Sequence, residues 1–263
     1  MSDIESDVAF PGETADALET ADALEPADTL EPAGPGELSA TPRTRHRRLR
    51  EQGRRDRADL LAVLAAGFVA HLGLPAADGI MVVPTVYGFT EDELYLHGSV
   101  ASQSLAADAP ACVTVTLVDG LVLARSVFEH AVNYRSAVIY AVPRIVTDPA
   151  EKLAGLRCVS EHVAPGQWDY TRQPSRKELA ATRLLAFSLA EASVKIRTGP
   201  PDDADSPDAA LGLWAGEVPL ESRWQAPVPD PALPAGQPVP AHIQALAGTV
   251  AYRPEAGVTA AGG

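Results

Sequence analysis

A cluster of small polar residues follows Gly98, at the point where a predicted strand ends and a short helix over residues 99–108 is predicted to begin. The cluster consists of Ser99, Ser102, Gln103 and Ser104. Serine hydroxyls donate hydrogen bonds without bulk, and backbone N–H groups at a helix start carry partial positive charge. The pattern therefore indicates an anion-binding loop, although a hairpin that runs into an ordinary serine-capped helix explains the same residues.

Two predicted strands position this loop. Residues 80–87 form an apolar, β-branched run that ends at Gly88, and polar turn residues follow it. In the second run Glu93, Tyr95 and His97 point one way and the intervening leucines point the other. Tyr95 and His97 are therefore the candidate proton donors or acceptors beside any ligand of the loop.

Other catalytic patterns are missing from the sequence. The six histidines include no pair at the i, i+4 spacing of a helical metal site. His71, His97 and His130 each fit a hydrogen-bonded structural histidine better than a metal ligand. The sequence contains no glycine-rich nucleotide loop and no nucleophile elbow. Taken alone, the residues predict a barrel with an anion site.

Composition separates an acidic tail from a nearly neutral body. The net charge is −14, but residues 1–40 hold eleven acidic residues and no Lys or Arg, which leaves 24 acidic and 21 basic residues in the remainder. A six-residue repeat with prolines over 13–31 predicts disorder for the tail. No apolar run is long enough to span a membrane, and no secretory signal begins the chain. We expect a cytoplasmic protein in which Cys112 and Cys158 are reduced.

An arginine-rich stretch follows the tail. Residues 43–57 contain eight arginines, a density found in nucleic-acid-binding segments. No aromatic residue interleaves with them for base stacking, and the acidic tail offers a partner of opposite charge. We therefore expect a solvated or tail-paired segment and no nucleic-acid partner.

The predicted elements favour a mainly β protein with flanking helices. Six or seven strands and three or four short helices do not alternate as βαβ units, and a closed antiparallel barrel fits them better. Helices are predicted from Asp56, from Pro149 behind the N-cap Asp148, and from a capping box at Ser175. Residues 125–135 are predicted to be irregular, and residues 111–123 to form the longest strand. The proposed division is a tail (1–40), an arginine-rich linker (41–55), a barrel domain (56–223) and a Pro/Ala/Gly-rich extension (224–263).

Four separated segments, in order along the chain, resemble the pyridoxamine 5'-phosphate oxidase-related FMN-binding split-barrel proteins, specifically the branch with nitroimidazole-reductase-like proteins. They are Ala70-His-Leu-Gly73 with Val83-Pro-Thr-Val-Tyr87; Leu94-Tyr-Leu-His-Gly-Ser99 with Ser102; Leu123-Ala-Arg-Ser126 with His130 and Asn133-Tyr-Arg-Ser136; and Ser193-Val-Lys-Ile-Arg-Thr-Gly-Pro-Pro201 with Trp214-Ala-Gly216. Serine and glutamine stand where the vitamin B6 oxidases carry a cationic phosphate grip, which argues against pyridoxamine phosphate as substrate. Ala131 stands where this branch is expected to have serine.

The resemblance implies an antiparallel split β-barrel that forms a homodimer, with FMN in the groove between the subunits. The strand that would line the flavin comprises Val83, Pro84, Thr85, Val86 and Tyr87. The phosphate would be surrounded by His97, Gly98, Ser99, Ser102 and Gln103. Asn133, Tyr134 and Arg135 would approach the flavin, with Lys195 and Arg197 as cations and Trp214 either at the ring edge or in the core.

An FMN-dependent oxidoreductase acting on an unidentified small molecule is the function that this resemblance implies first. The cofactor would carry the electron transfer, so no side chain need be an obligatory acid or base. One alternative is a non-catalytic flavin-binding or flavin-sensing protein whose tail recruits a partner. In another, haem replaces FMN, and His130 or His71 is the axial ligand.

Overall fold

A computed structural model of the chain describes residues 34, 36–102 and 109–251. Most of the acidic tail, all of its repeat, and the predicted phosphate residue Gln103 lie outside the described residues. The helix predicted over 99–108 lies largely outside them too, and residues 99–102 form a turn. Leu38 is buried in the core, so the end of the predicted tail is part of the barrel domain.

Ten strands and five α-helices occur in the described residues. The strands are β1 (Gly53–Arg54), β2 (Val69–Ala76), β3 (Gly79–Phe89), β4 (Glu93–Ser99), β5 (Ala111–Leu123), β6 (Ala131–Ala141), β7 (Arg144–Ile145), β8 (Thr182–Ser188), β9 (Ala192–Arg197) and β10 (Gly216–Pro219). The helices are α1 (Arg57–Ala66), α2 (Pro149–Val163), α3 (Gln167–Tyr170), α4 (Arg176–Ala181) and α5 (Ala241–Gln244).

The strands form one antiparallel sheet in the order β1-β9-β6-β5-β2-β3-β4-β8-β7, and β10 pairs with β5. The sheet curls around a core that α1 and strands β2 to β6, β8 and β9 share, with Tyr87 and Phe187 among its largest fully buried side chains. Alternation along β5 places Val113 and Val115 in this core and Thr114 on the other side. The predicted antiparallel split barrel is confirmed.

Helix α2 covers part of the outer side of the barrel. Its N-cap Asp148 accepts a hydrogen bond from the backbone N–H of Glu151, and Pro149 occupies the first turn, as the sequence predicts. The helix packs on β4 and β8, where Tyr95 and Leu184 form a second, smaller core. Gly88 is needed here because an added Cβ would lie only 2.5 Å from the backbone nitrogen of Val159.

Two local predictions are wrong. Residues 131–135 are regular β6 rather than irregular, because the inward Asn133 and Arg135 find polar partners that their sequence pattern does not reveal. The arginine-rich stretch is not only a linker, since Gly53 and Arg54 pair with Lys195 and Val194 of β9. Arg43 also pairs with Glu191, and its guanidinium lies 4.9 Å from the ring centroid of Tyr140.

The C-terminal extension returns to the barrel. The backbone around Arg223 and Trp224 bonds to residues 248–251, and the Trp224 ring stacks on Phe68 with centroids 5.6 Å apart. This segment is mostly irregular apart from α5, as predicted from its proline content. None of the helices in the described residues has the length and apolar character needed to cross a bilayer.

Candidate functional site

The outward side of β3, β2, β5, β6 and β9 forms a broad surface that we call the open face. The pairing register places one residue from each strand side by side across it. In order these are Pro84, His71, Thr114, Val138 and Ser193. Exposed apolar residues border this row, with Ile80 at 85% and Val82 at 60% exposure. An apolar, solvent-exposed sheet face of this kind marks a site for a partner or a flat ligand.

His71 lies near the middle of the open face. Its neighbours Ala70 and Leu72 point into the core, so the imidazole points outward and is exposed. No hydrogen bond joins its ring to another described residue. Gly73 lies on the same side, and an added Cβ there would have only the Cys112 carbonyl oxygen nearby, at 3.7 Å. The surface beside the imidazole is therefore flat and open.

His130 has a different role. Its Nδ1 atom accepts a hydrogen bond of 3.0 Å from the backbone N–H of Ala124. In a neutral ring the proton must then sit on Nε2, which leaves neither nitrogen with a free lone pair. His130 thus fastens the loop before β6 and is the weaker of the two histidines considered as iron ligands.

The predicted flavin-lining strand β3 exposes fewer of its residues on the open face than its sequence suggests. Along β3, Pro84 is exposed on the open face, while Val83, Thr85 and Tyr87 alternate to the inward side. Tyr87 is fully buried, and its hydroxyl donates to the Leu64 carbonyl at 2.7 Å. Val86 packs against the core under α2. Tyr87 therefore cannot line a surface groove, and Pro84 is the exposed contact of this run.

The serine loop begins at the end of β4. Ser99 pairs with Thr182 of β8, and its Oγ accepts a hydrogen bond from the backbone N–H of Ala101 at 3.2 Å. The Ser99 hydroxyl keeps its own O–H for donation to a ligand. Ser102 closes a turn through its backbone N–H, which donates to the Ser99 carbonyl at 3.0 Å. A phosphate at this turn remains a prediction.

Three residues predicted to contact the flavin are instead part of a barrel-end cluster. The cluster comprises Asn133, Arg135 and Arg197 with Asp119, Glu217, Arg125 and Asp203. Arg197 donates to the Asn133 side-chain oxygen at 2.6 Å, and Asn133 donates to Glu217 at 2.6 Å. Arg135 forms two hydrogen bonds with Asp119, at 2.9 and 2.7 Å.

These partners accept hydrogen bonds from the guanidinium groups of the barrel-end cluster. Arg135 is 5% exposed and Arg197 is 9% exposed, so neither offers its guanidinium to a phosphate on the surface. Arg197 also donates to the carbonyls of Gly199 and Pro200, and it therefore holds the loop after β9. Partners within the chain thus occupy the polar groups of Asn133, Arg135 and Arg197, and their contact with the flavin stays a prediction.

Lys195 and Tyr134 are the members of this predicted group that reach the open face. Both are partly exposed, and Lys195 forms no ion pair with another described residue. Lys195 lies five strands from Ser99 in the sheet order. Adjacent strands are about 4.8 Å apart, so the two residues are on the order of 20 Å apart along the sheet.

Trp214 is on the surface. Its side chain is 67% exposed, in the loop before β10, so it is not the core tryptophan that the sequence left as an alternative. Phe128, at 90% exposed, is a second aromatic side chain on the surface, in the turn before β6. The sequence analysis did not single out Phe128, because one aromatic residue in a polar loop carries no periodic signal.

Tyr95 and His97 share one side of β4, as predicted, but that side faces α2 and the helices after it. The Tyr95 hydroxyl donates to Glu93 at 2.8 Å, and burial together with this hydrogen bond raises the pKa of the phenol. Burial lowers the pKa of His97, so its ring is neutral near pH 7. His97 lines a cavity beneath α2, and Tyr95 is a structural residue rather than a proton donor on the open face.

Residues 34, 36–102 and 109–251 contain no cluster of side chains that could form a metal site. No group of three or more His, Cys, Asp and Glu side chains there is arranged to hold an ion.

The antiparallel split barrel places the chain in the class of flavin-binding split-barrel proteins. The chain belongs to the pyridoxamine 5'-phosphate oxidase family, whose sequence model matches residues 56–196. The family predicted from the sequence is thus confirmed. A comparison with curated proteins gives no match.

Two solved structures are similar to most of the chain. The flavocytochrome Anf3 from Azotobacter vinelandii is 35% identical with a TM-score of 0.74, over 78% of this chain and 97% of its own. The FAD and haem binding protein from Mycobacterium smegmatis is 36% identical with a TM-score of 0.72, over 77% of this chain and 100% of its own.

Proposed function

We propose that this protein is a flavin-dependent redox protein that also binds haem, with His71 as an axial ligand of the iron. The observation that carries the proposal is the exposed imidazole of His71, without a hydrogen-bond partner among the described residues, on the open face. The names of the two similar proteins, a flavocytochrome and a FAD and haem binding protein, support the same pair of cofactors.

The residues around His71 fit a haem. An axial ligand must present an unprotonated ring nitrogen, which His71 can do and the hydrogen-bonded His130 cannot. Gly73 leaves a flat space beside the imidazole, where a side chain would obstruct a planar macrocycle. Val69 and Pro84 add apolar surface around it. The sequence analysis treated haem as a replacement for FMN, and we now propose that both bind.

Two groups on neighbouring strands fit a flavin, one on the open face and one at the end of β4. Pro84 provides an exposed apolar contact on β3, and the hydroxyl of Ser99 is able to donate to a phosphate. The flavin, when bound, supplies hydride and one-electron chemistry, and the haem supplies one-electron transfer. The chain's own residues bind these groups, orient them and exclude water from them.

A second copy of the chain is the proposed cover of the open face. Ile80 and Val82 are exposed apolar residues on the strand beside His71, and with Val69 they form an apolar patch that a partner could cover. A two-fold arrangement would bury them on both subunits. It would also bring Lys195 of one subunit to the serine loop of the other.

The proposed activity is oxidation or reduction of a small molecule. No side chain on the open face is a necessary acid or base, because the cofactors carry the electron transfer. The identity of the substrate would then depend on the space left between the cofactors and the second subunit.

The absorption spectrum of the purified full-length protein, reconstituted with flavin and haem, tests this proposal. We expect oxidised-flavin bands together with a Soret band, and bleaching of the flavin bands when NADH or NADPH is added. Absence of flavin bands would overturn the flavin assignment, and absence of a Soret band would overturn the haem assignment. A flavin that binds but is reduced only by dithionite would favour the non-catalytic flavin-binding alternative.

A further inference from the structure

The arginine-rich stretch consists of paired arginines on the outside and an unpaired group between them. Each outer arginine bonds to a carboxylate or a carbonyl of a described residue; these are Arg43, Arg54, Arg55 and Arg57. The inner four are exposed, and their guanidinium groups form neither a hydrogen bond nor an ion pair with another described residue. We call this group the arginine strip, which consists of Arg45, Arg47, Arg48 and Arg50. Four neighbouring positive charges without protein partners favour an anionic ligand.

The arginine strip is fastened to the edge of the open face. His46, within the strip, donates a hydrogen bond from Nε2 to the Val194 carbonyl of β9 at 3.0 Å. Gly53 of β1, just after the strip, lies opposite Lys195. An added Cβ at Gly53 would lie only 2.5 Å from Cδ2 of His46. Glycine at this position therefore leaves the space in which the His46 ring holds the strip against β9.

The separation between the arginine strip and His71 suits a long ligand. In the sheet order, β5, β6 and β9 lie between β2 and β1. Four strand spacings of about 4.8 Å place His71 and β1 on the order of 20 Å apart along the sheet. An extended dinucleotide has its reacting ring at one end and its adenosine phosphates towards the other. Such a ligand would place its ring over the open face and its adenosine end at the strip.

We propose that the arginine strip binds the 2'-phosphate of NADPH, so that NADPH rather than NADH is the preferred electron donor. The two donors differ only in this phosphate, which a guanidinium recognises through two parallel hydrogen bonds. Arginine also accommodates the same phosphate in dinucleotide-binding folds of another class. NADPH gives up a hydride, a proton with two electrons, to the flavin and leaves as NADP⁺. This inference rests on the proposed flavin-dependent redox function.

A nucleic acid fits the arginine strip less well than a dinucleotide does. Proteins that bind nucleic acids typically neutralise about six to ten phosphates, and the strip provides four cations. Residues 43–57 contain no Phe, Trp or Tyr on which a base could stack. The net charge of −14 also repels a long polyanion. A single phosphate needs only one or two guanidinium groups, which the strip supplies.

Binding of 2',5'-ADP and 5'-AMP to the full-length protein tests the inference without a redox reaction. The two nucleotides differ only in the 2'-phosphate. We expect 2',5'-ADP to bind about tenfold more tightly, which corresponds to one charge-assisted hydrogen bond. This preference should shrink as the salt concentration rises. Steady-state flavin reduction should show the same advantage for NADPH over NADH in kcat/KM.

Two double substitutions divide the arginine strip. They are Arg45→Gln with Arg47→Gln, and Arg48→Gln with Arg50→Gln. At least one of these variants should bind 2',5'-ADP and 5'-AMP with similar affinity, while its affinity for 5'-AMP stays that of the parent. All four side chains are exposed, so neither variant should lose stability in urea unfolding.

Arg176→Gln with Lys177→Gln is the matched control. It removes two exposed positive charges from α4, which leads into β8 near the other end of the sheet order, and it should keep the preference. Loss of the preference in this control would assign it to net charge and overturn the inference. Equal affinities in the parent, or a preference that survives both strip variants, would also overturn it.

Two further outcomes separate the inference from its neighbours. Tighter binding of a single-stranded DNA oligonucleotide than of 2',5'-ADP at about 0.15 M salt would make the arginine strip a nucleic-acid site and overturn the inference. A protein that binds flavin and shows no preference for 2',5'-ADP would refute the strip's role alone. A protein that prefers 2',5'-ADP but binds no flavin would support the strip and contradict the proposed function.

Discussion

The barrel-end cluster and the open face contain the same kinds of residues but differ in how those residues are paired. At the barrel end, Arg135 and Arg197 are buried and hydrogen-bonded to Asp119 and Asn133. On the open face, the side chains of His71 and Lys195 have no hydrogen-bond or ion-pair partner among the described residues. Because a buried cation must be paired, pairing at the barrel end indicates a structural role. Exposed polar side chains without protein partners are free to bind a ligand.

This comparison shows why residue type alone does not distinguish a structural cation from a candidate ligand. A sequence pattern offers both arginine, as a bidentate donor, and lysine, as a point charge, as candidate phosphate ligands. Arg197 is committed to Asn133 and to the carbonyls of the following loop, whereas Lys195, two residues earlier on the same strand, is not. Burial and pairing distinguish them, and neither property is visible in a short motif.

The largest expected effect comes from breaking the barrel-end cluster. Asp203 is 2% exposed and accepts hydrogen bonds from the Arg125 backbone and guanidinium at 2.6 and 2.7 Å. Arg125→Met would leave the buried carboxylate without its cation, which should cost about 3 kcal/mol in the free energy of unfolding. Urea unfolding measures this loss. The matched variant Lys195→Met should change the unfolding free energy by less than about 0.5 kcal/mol, and equal losses in both variants would contradict the comparison.

A charge on the open face should separate the subunits. Val82→Asp would place a carboxylate on a surface that we propose to be covered by a second copy, where desolvating it is costly. Light scattering should give about twice 27.5 kDa for the parent and close to 27.5 kDa for the variant. Leu153→Asp, at a 39% exposed position on α2, is the control and should remain dimeric. A parent that is monomeric with flavin bound would refute the second-subunit proposal.

A moderate effect is expected when Lys195 is replaced. If Lys195 of the second subunit pairs with the flavin phosphate, Lys195→Met should weaken FMN binding about tenfold to a hundredfold. Riboflavin, which lacks the phosphate, should bind as it does to the parent. Flavin fluorescence titration of both ligands gives the ratio. An unchanged FMN-to-riboflavin ratio would remove Lys195 from the site.

The smallest expected effect is on the pH dependence of the free energy of unfolding. Burial lowers the pKa of His162 on α2. The hydrogen bond that its Nε2 donates to the Gly67 carbonyl at 2.7 Å raises the pKa and offsets only part of this shift. The unfolded chain, with a histidine pKa of about 6.5, takes up a proton that the folded state resists, so stability falls as pH decreases below about 6.5. Urea unfolding between about pH 7.5 and about pH 5.5 should show this decline, and His162→Gln should reduce it. The same slope in parent and variant would exclude His162 as its source.

Much of the fold could be predicted from the sequence, since its signals are local. The alternation along β5, the N-cap Asp148 with Pro149, and the capping box at Ser175 each specify an element from neighbouring residues. The start of β6 could not be predicted, because Asn133 and Arg135 read as polar loop residues until Asp119 and Glu217 are placed beside them. That placement depends on pairing between distant strands.

The surroundings of the predicted site residues were less predictable for the same reason. Strand alternation alone predicts that Pro84 and Tyr87 point to opposite sides of β3. It does not predict that α2 covers the side of β4 that carries His97. The central position of His71 on the open face depends on the strand order, because its neighbours Pro84 and Thr114 belong to other strands. A histidine inside an ordinary strand has no sequence signal that marks it as a ligand.

Haem titration of His71→Ala and His130→Ala, with the flavin bound, tests the central claim most directly. The account predicts that His71→Ala keeps its flavin bands but develops no Soret band of the ligated haem, because the only proposed axial ligand is lost. His130→Ala should bind haem as the parent does, since its Nδ1 holds a loop. A His71→Ala protein with the parent's Soret band and haem affinity would contradict the account.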